Sequence, residues 1–250
     1  FRDVSFRYPH AAADELEHIS FRVERGQTLA IIGATGSGKT TLAGLIPRFY
    51  DATQGTVLVD GVDVRDYTFD ALYDRLGYVT QKAVLFSGTV QDNIFFGQSE
   101  AADTDETLQQ ALQLSQAAEF VDRYPEKAAH PIAQLGRNVS GGQKQRLSIA
   151  RALARRPEIL IFDDSFSALD YKTDATLREG LAKQLPGTTK IIVAQRISTI
   201  RHADQILVLD RGEIAGLGTH DALMASCPVY REIAMSQLSE EELKKGGASK

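Results

Sequence analysis

The sequence has a single cysteine, Cys227, and no apolar run that approaches the length of a membrane span. One cysteine excludes an internal disulfide and suits a reducing compartment. A bilayer span needs about 20 consecutive apolar residues, and there is also no charged-then-apolar leader at the start of the chain. Because the chain opens at Phe1 within a strand pattern and without Met, we expect it to be part of a longer protein.

An excess of positive charge is also lacking. The net charge is -5, so the electrostatic footprint of a nucleic-acid-binding protein is missing, and we expect no nucleic acid partner. The chain has 250 residues, of which 43% are hydrophobic and 24% charged, as in ordinary globular domains. This length is ample to bury a core.

Two kinds of strand pattern are present. Alternating apolar residues predict antiparallel strands at residues 4–8 and 19–23 and a hairpin over 56–64 that turns at Asp60-Gly61. Continuous apolar runs at residues 29–32, 159–162 and 191–194 predict a parallel sheet covered on both faces. A last run, residues 206–209, precedes a predicted hairpin at 210–213.

Between about residues 82 and 155 the apolar pattern becomes helical, with Leu108, Ala111, Leu112 and Leu114 spaced for one helix face. We therefore predict an α/β protein in which a helical lobe is inserted into one domain over residues 1–238. The last segment, residues 239–250, is rich in Glu, Lys and Gly, and we expect it to be a flexible tail.

A P-loop pattern follows the first apolar run and precedes a helical segment, which is the context that gives it meaning. Its glycines let backbone N–H groups close around phosphate oxygens at a helix N-terminus. We expect Lys39 to reach the β- and γ-phosphates and the Thr40 hydroxyl to bind Mg²⁺. The motif consists of Gly33, Ala34, Thr35, Gly36, Ser37, Gly38, Lys39 and Thr40.

Asp163 and Asp164 end the apolar run at 159–162, as in a Walker B strand whose terminal carboxylate lies beside magnesium. Two adjacent buried carboxylates without a cation would be costly, although pairs of this kind also occur in plain turns. A second motif, Val139, Ser140, Gly141, Gly142 and Gln143, contains a capping box at Ser140 and Gln143 that starts a helix ending before Pro157. Its two glycines expose backbone N–H groups that a phosphate could approach.

Together these motifs resemble the ABC ATPase family, and the resemblance covers essentially the whole chain. It implies a P-loop NTPase core with a mainly parallel sheet, an N-terminal antiparallel β-subdomain and an inserted α-helical subdomain. It also implies ATP and Mg²⁺ as cofactors, with Mg²⁺ held by Thr40, Gln81 and Asp163. Tyr8 resembles the aromatic residue that stacks on adenine, Thr41 belongs to the ATP site, and Gln81 resembles the Q-loop glutamine. Ser167, Ala168, Leu169 and Asp170 resemble the D-loop at the dimer interface.

In the family, two such domains pair head to tail, and each ATP lies between one P-loop and the partner's signature motif, here residues 139–143. The resemblance further implies transmembrane domains as partners, outside this chain, and a place on the cytoplasmic face of the membrane. The segment 84–94 resembles exporters more than importers.

Two positions depart from the family pattern. Asp164 stands where the catalytic glutamate is expected, and Gln195 where the switch histidine is expected. Asp is one methylene shorter than Glu, and Gln cannot carry a proton as His can. Both changes affect the chain's own P-loop site, whose catalytic residues we take to be Asp164, Gln195, Gln81, Asp163 and Lys39. Before the signature, Gln134 also replaces an acidic residue common in exporters.

These departures suggest one subunit of a heterodimeric exporter, whose own site binds ATP and hydrolyses it slowly while its signature completes the partner's site. Alternatives are a self-sufficient homodimer and a non-catalytic ATP-sensing dimerisation module. An importer ATPase is the nearest rival within the class. Chromosome-organising relatives need long coiled coils between the motifs, and the segment between the motifs here has no heptad pattern. Translation-associated relatives carry two cassettes on one chain and bind RNA, and the single cassette and the net charge of -5 argue against them. The transported substrate is not encoded in this sequence.

Overall fold

The computed structural model describes residues 1–97 and 104–237 and divides the chain into two compact units. One unit consists of Phe1–Tyr73 and Thr189–Lys250, and the other of Asp74–Thr188. The predicted tail at 239–250 and the predicted domain end at residue 238 lie outside the described residues. Within the described ranges, no helix is both long and apolar enough to cross a membrane.

The first unit begins with a small antiparallel sheet. Strand β1 (Arg2–Phe6) pairs with β2 (Leu16–Ile19) on one side and with β4 (Gln54–Thr56) on the other. A short hairpin of β5 (Leu58–Val59) and β6 (Val62–Asp63) turns at Asp60-Gly61, as predicted, with positive φ at both turn residues.

Strand β3 (Thr28–Ile32) is the centre of a second sheet in this unit. It pairs in parallel with β11 (Thr189–Val193) and with β12 (Gln205–Asp210). Strand β13 (Glu213–Gly218) pairs antiparallel with β12 through the hairpin predicted at residues 210–213. The apolar side chains of β3, β11 and β12 are buried, which explains their continuous apolar runs.

Five helices among the described residues belong to this unit. The helix that follows the P-loop, α1 (Lys39–Gly44), is short and has its last four residues buried. The last described helix, α10 (Pro228–Gln237), buries Tyr230 and Ala234 on one face. The five helices are α1 (Lys39–Gly44), α2 (Phe69–Tyr73), α8 (Ile197–Ile200), α9 (His220–Ser226) and α10 (Pro228–Gln237).

The second unit combines a parallel strand pair with a group of helices. Strands β7 (Leu76–Val79) and β10 (Ile159–Asp163) run parallel, and β8 (Gly88–Thr89) pairs antiparallel with β9 (Pro131–Ile132). The predicted helix face of Leu108, Ala111, Leu112 and Leu114 is buried, which confirms the helical pattern. The limits of the inserted lobe, residues 82–155, stay a prediction. The helices are α3 (Val90–Ile94), α4 (Asp105–Leu114), α5 (Ala118–Val121), α6 (Gly141–Ala154) and α7 (Tyr171–Gln184).

The α/β fold class with antiparallel N-terminal strands is confirmed, but two strand boundaries were wrong. The strand predicted at residues 4–8 lies at Arg2–Phe6, and the one predicted at 19–23 lies at Leu16–Ile19. Val4 faces Ile19 and Phe6 faces Leu16, so β2 holds one residue more than β1 between these pairs. This bulge, with His18 at φ 52°, shifts the register that simple alternation predicts.

Candidate functional site

The P-loop forms a closed turn between β3 and α1, with Ala34, Thr35, Gly36 and Thr40 exposed. The Lys39 ammonium lies over the loop, where Nζ donates to the carbonyl oxygens of Gly33 at 2.9 Å and Ala34 at 2.6 Å. Nζ also lies 3.3 Å from Ser37 Oγ. A positive charge is therefore held beside the backbone N–H groups that begin α1, a combination that suits phosphate.

Two glycines of the loop are required by their surroundings. A Cβ at Gly33 would collide with the carbonyl oxygen of Leu209 in β12. Gly38 has φ 95°, and a Cβ there would come within 2.8 Å of Leu16 Cδ2. Gly36 differs because a Cβ there would meet no atom within 4 Å, although its φ is 78°. The backbone at Gly36 is thus open to an approaching ligand.

Tyr8 lies two residues beyond the end of β1 and contacts the helix that follows the P-loop. Its hydroxyl shares a 2.8 Å hydrogen bond with Thr41 Oγ1. The ring packs edge-to-face against Phe6 and Tyr50, at centroid distances of 4.8 and 5.2 Å. Tyr8 and Thr41, both predicted to belong to the ATP site, are therefore joined directly.

Gln195 follows β11 at the level of the P-loop. The N–H of Ala194 donates to Ile31 O across 3.1 Å, which extends the pairing of β11 with β3 to the residue before Gln195. The Gln195 side chain is exposed, and its backbone carbonyl accepts a 2.7 Å hydrogen bond from Gln237 Nε2 at the end of α10. The structure thus places Gln195 next to the strand that leads into the P-loop.

In the second unit, Asp163 and Asp164 are both buried, with exposed fractions of 5% and 6%. The Tyr78 hydroxyl donates to Asp163 Oδ2 at 3.2 Å. The pKa of the Tyr78 phenol is raised, mainly by burial and in addition by the negative charge of Asp163. Gln81 Nε2 donates to Asp164 Oδ2 at 2.8 Å. Because β7 and β10 are parallel and pair Val79 with Phe162, the residues just beyond both strands meet.

The backbone that leads into Gln81 is fixed from the signature helix. Gln145 in α6 has only 1% of its surface exposed, and its Nε2 donates to Thr80 O at 3.2 Å. Sequence reasoning missed Gln145 as well as Tyr78. No sequence signal could have found this contact, because the two residues are 65 positions apart in the chain.

The signature motif forms the predicted helix start. Ser140 N donates to Gln143 Oε1 at 2.8 Å, and Gln143 N donates to Ser140 Oγ at 3.3 Å, so the capping box is confirmed. Helix α6 ends at Ala154, before Pro157, also as predicted. Val139 is buried, whereas Ser140 and Gly141 are exposed.

Neither signature glycine is explained by packing within its own unit. A Cβ at Gly141 would meet nothing within 4 Å, and one at Gly142 would make an ordinary 3.5 Å contact with Ala168 O. Gly in the first turn of a helix is less favourable than Ala. The glycines therefore leave the N-terminus of α6 open to an external group.

The segment from Ser167 to Asp170 links β10 to α7. Ser167 Oγ donates to Asp164 O at 2.7 Å, and Leu169 is buried. The Asp170 carboxylate caps α7 by accepting from Thr173 N at 2.9 Å and Thr173 Oγ1 at 2.7 Å. These bonds lower the pKa of Asp170, while Ser167 and Ala168 are exposed. Gln134, the other departure from the family pattern, lies in a short 3-10 turn in which Leu135 has φ 57°.

The donor types present fit ATP and Mg²⁺. Magnesium in phosphate sites takes one or two carboxylates and hydroxyl oxygens in addition to phosphate oxygens, and Thr40, Asp163 and Gln81 offer such donors. Within the described residues, no three His, Cys, Asp or Glu side chains cluster as a separate metal site. Lys39, Tyr8, Thr41 and Gln195 lie in the first unit, and the carboxylates, Gln81 and the signature lie in the second. Their roles as catalytic or ligand residues stay predictions.

Comparison with known proteins finds ABC transporter proteins by both family and individual sequence. Residues 16–167 match the ABC transporter family. An ABC transporter ATP-binding protein of Mycobacterium tuberculosis is 48% identical over 235 residues, which cover 94% of this chain and 40% of that protein. The ATP-dependent lipid A-core flippase of Albidiferax ferrireducens is 42% identical over 237 residues, 95% of this chain and 41% of that protein.

A solved structure is also similar along most of the chain. The structure of a bacterial Atm1-family ABC exporter with ATP bound matches with a TM-score of 0.91 and 37% identity. The match covers 96% of this chain and 42% of that one. This chain thus spans about two fifths of the length of the proteins that it resembles.

Proposed function

Because the chain belongs to the ABC transporter family, we propose that it is the ATP-binding motor domain of a membrane exporter. In this proposal ATP and Mg²⁺ bind at its P-loop, and two transmembrane-domain-bearing subunits pair at the cytoplasmic face of the membrane. The loop geometry supports the phosphate site, since Lys39 and the open backbone at Gly36 offer positive charge and N–H donors.

A more specific proposal, that this site hydrolyses ATP slowly, depends on two residues that differ from the family pattern at the ends of two strands. Asp164 follows β10 and Gln195 follows β11, so both positions that the family uses to activate and sense the γ-phosphate are changed. A carboxylate one methylene short stops roughly 1 Å from its proper place, and a misplacement of this size can cost on the order of 100-fold in rate. The proposed P-loop site therefore binds ATP and hydrolyses it slowly.

The signature of this chain serves the other site in the proposed dimer. Its capping box is formed, and Gly141 and Gly142 have no packing need within their own unit. A phosphate carried by a partner subunit could approach the exposed N-terminus of α6 closely. The partner is proposed to be a different chain that supplies Glu and His at its own catalytic positions.

An exposed aromatic surface in the second unit supports the docking of a membrane domain. Phe86 and Phe96 stack at a centroid distance of 4.2 Å, yet they are 42% and 52% exposed. Arg151 lies over both rings, and its guanidinium donates to Asn93 O at 2.7 Å and to Val84 O at 3.0 Å. An exposed, stacked aromatic pair of this kind is typical of a protein interaction surface.

The test compares the natural full-length protein with the Asp164→Glu/Gln195→His variant. Nucleotide binding and turnover are measured with Mg²⁺, and the Lys39→Ala variant defines the signal that does not come from this P-loop. We expect the natural site to bind ATP with little turnover, and the double substitution to raise turnover tenfold or more, about 1.4 kcal/mol of barrier.

Brisk turnover in the natural protein alone, with a rate that rises as the square of its concentration, would contradict the proposal. A self-sufficient homodimer would then replace the heterodimer. If neither protein turns ATP over but ATP still drives dimerisation, the chain is an ATP-sensing module instead.

A further inference from the structure

A glutamine at the end of the C-terminal helix bridges two backbone groups of the loop that carries Gln195. Gln237 Nε2 donates to Gln195 O at 2.7 Å, and Gln237 Oε1 accepts from Ile197 N at 2.9 Å. The orientation of the amide is fixed, because a carbonyl can only accept and a backbone N–H can only donate. Gln237 therefore uses both ends of its side chain on one short loop.

The helix that carries Gln237 is itself well anchored. Tyr230 and Ala234 are fully buried in α10, and Gln237 follows them by seven and three residues, on the same helix face. The Tyr230 hydroxyl also shares a 2.8 Å hydrogen bond with His220 Nδ1 of α9. The position of the amide is thus set by buried packing one and two turns earlier in the helix.

The loop held in this way joins the end of a strand to the start of a short helix. The pairing of β11 with β3 ends at the Ala194 N–H, and α8 begins at Ile197. The N-cap of α8, Arg196, makes no side-chain capping bond, so the Gln237 amide oxygen provides the cap instead. Gln195 therefore lies between a strand end on one side and a helix start capped by Gln237 on the other.

We propose that Gln237 is a positioning residue that holds the backbone of the loop between β11 and α8, so that the Gln195 side chain is presented to the γ-phosphate. This inference rests on the proposed function, in which Gln195 senses the γ-phosphate at the P-loop. Removing the clamp should weaken ATP recognition more than ADP recognition, because ADP lacks the phosphate that Gln195 contacts.

The experiment measures the ratio of the affinities for a non-hydrolysable ATP analogue and for ADP in the full-length protein, with the Lys39→Ala signal subtracted. Gln237→Met keeps the length of the side chain and its packing but removes both hydrogen bonds. Met235→Ala, at a position that is 59% exposed in the same helix turn, is the matched control. Thermal unfolding of each variant checks that the fold is retained.

We expect Gln195→Ala and Gln237→Met each to lower the affinity ratio about three- to tenfold, the range that one neutral hydrogen bond gives. Met235→Ala should leave the ratio unchanged. The double variant Gln195→Ala/Gln237→Met should lose no more than Gln195→Ala alone, because Gln237 acts through Gln195. If Gln237 acted only through packing, the Gln237→Met variant would keep the affinity ratio of the natural protein.

Two failures are distinguishable. If Gln195→Ala leaves the affinity ratio unchanged, the sensing role of Gln195 is wrong and the clamp proposal is overturned with it. If Gln195→Ala lowers the ratio but Gln237→Met does not, or if the two losses simply multiply, only the role of Gln237 is overturned.

Discussion

Gln81 donates its amide N–H to the buried carboxylate of Asp164 across 2.8 Å, at the point where two parallel strands end. Asp164 is 6% exposed and has φ 48°, a backbone conformation that Asp tolerates better than Glu does. This hydrogen bond joins two residues that the sequence placed separately, one as a magnesium ligand and one as the substitute for a catalytic glutamate.

A first prediction concerns the pairing of the neutral Gln81 amide with the Asp164 carboxylate. Gln81→Glu replaces the donor by a second carboxylate beside a buried one, so we expect the free energy of unfolding to fall by about 1–3 kcal/mol in the absence of Mg²⁺. Gln81→Ala should cost less, because it removes the bond without adding a charge. Urea denaturation of the three proteins measures the difference.

A swapped pair serves as the control for this prediction. In Gln81→Glu/Asp164→Asn the donor and the acceptor exchange places, so much of the lost stability should return. If the double variant is as unstable as Gln81→Glu alone, the hydrogen bond is not the reason for the loss.

A second prediction concerns the stability of the first unit as the pH changes. The pKa of His220 lies below its ordinary value of 6.5, chiefly because the ring is partly buried. Among the nearby charges, Asp221 raises this pKa, whereas Arg201 and His202 lower it. The neutral ring shares a 2.8 Å hydrogen bond with the hydroxyl of buried Tyr230, whose pKa burial raises. The unfolded chain therefore binds the proton of this histidine more readily than the folded one does.

The sign of the effect follows from this difference. The contribution of His220 is fully present above pH 6.5 and is lost as the pH falls through the folded-state pKa. His220→Asn keeps an acceptor for Tyr230 but does not titrate. Between pH 7.5 and pH 5.5 we expect the unfolding midpoint of the natural protein to fall about 2 °C or more further than that of His220→Asn. Parallel pH curves would contradict this expectation.

The sequence predicted the elements that its local patterns encode. The continuous apolar runs became β3, β10, β11 and β12, and the capping box at Ser140 became the start of α6. The boundary of β2 was wrong because Ile19 is the last residue of this strand, and the pairing with β1, which fixes where β2 lies, is not encoded in local alternation. Contacts between distant segments, such as Gln145 with Thr80 or Gln237 with Gln195, had no signal in a single sequence.

A third prediction separates the ring of Tyr8 from its hydroxyl. Tyr8→Phe removes the hydrogen bond to Thr41 Oγ1, so we expect the free energy of unfolding to fall by about 0.5–1.5 kcal/mol. The aromatic face remains, and ATP affinity should change less than about threefold. Tyr8→Ala should lower ATP affinity about 5- to 100-fold, because stacking on a base contributes about 1–3 kcal/mol.

Calorimetric titration measures these affinities, and inorganic tripolyphosphate serves as the control ligand because it lacks the base. Its affinity should be the same for the Phe and Ala variants. If Tyr8→Phe weakens ATP binding as much as Tyr8→Ala does, the hydroxyl and not the ring is the important group, and adenine stacking on Tyr8 is wrong.

The last prediction tests the signature glycine in the assembled transporter. Gly141 lies exposed in the first turn of α6, and a methyl group there would meet nothing within 4 Å. Gly141→Ala should therefore fold at least as stably as the natural protein, since Ala is the better helix former. A methyl group would nevertheless stand between the helix N-terminus and a phosphate presented by the partner.

We expect total ATP turnover of the Gly141→Ala heterodimer to fall tenfold or more, while nucleotide affinity at the Lys39-dependent site stays within twofold. Gly187→Ala, another exposed position with open space around it, should change neither quantity. Full turnover in Gly141→Ala would mean that no phosphate approaches this helix start, and the proposed role of the signature in the partner's site would have to be abandoned.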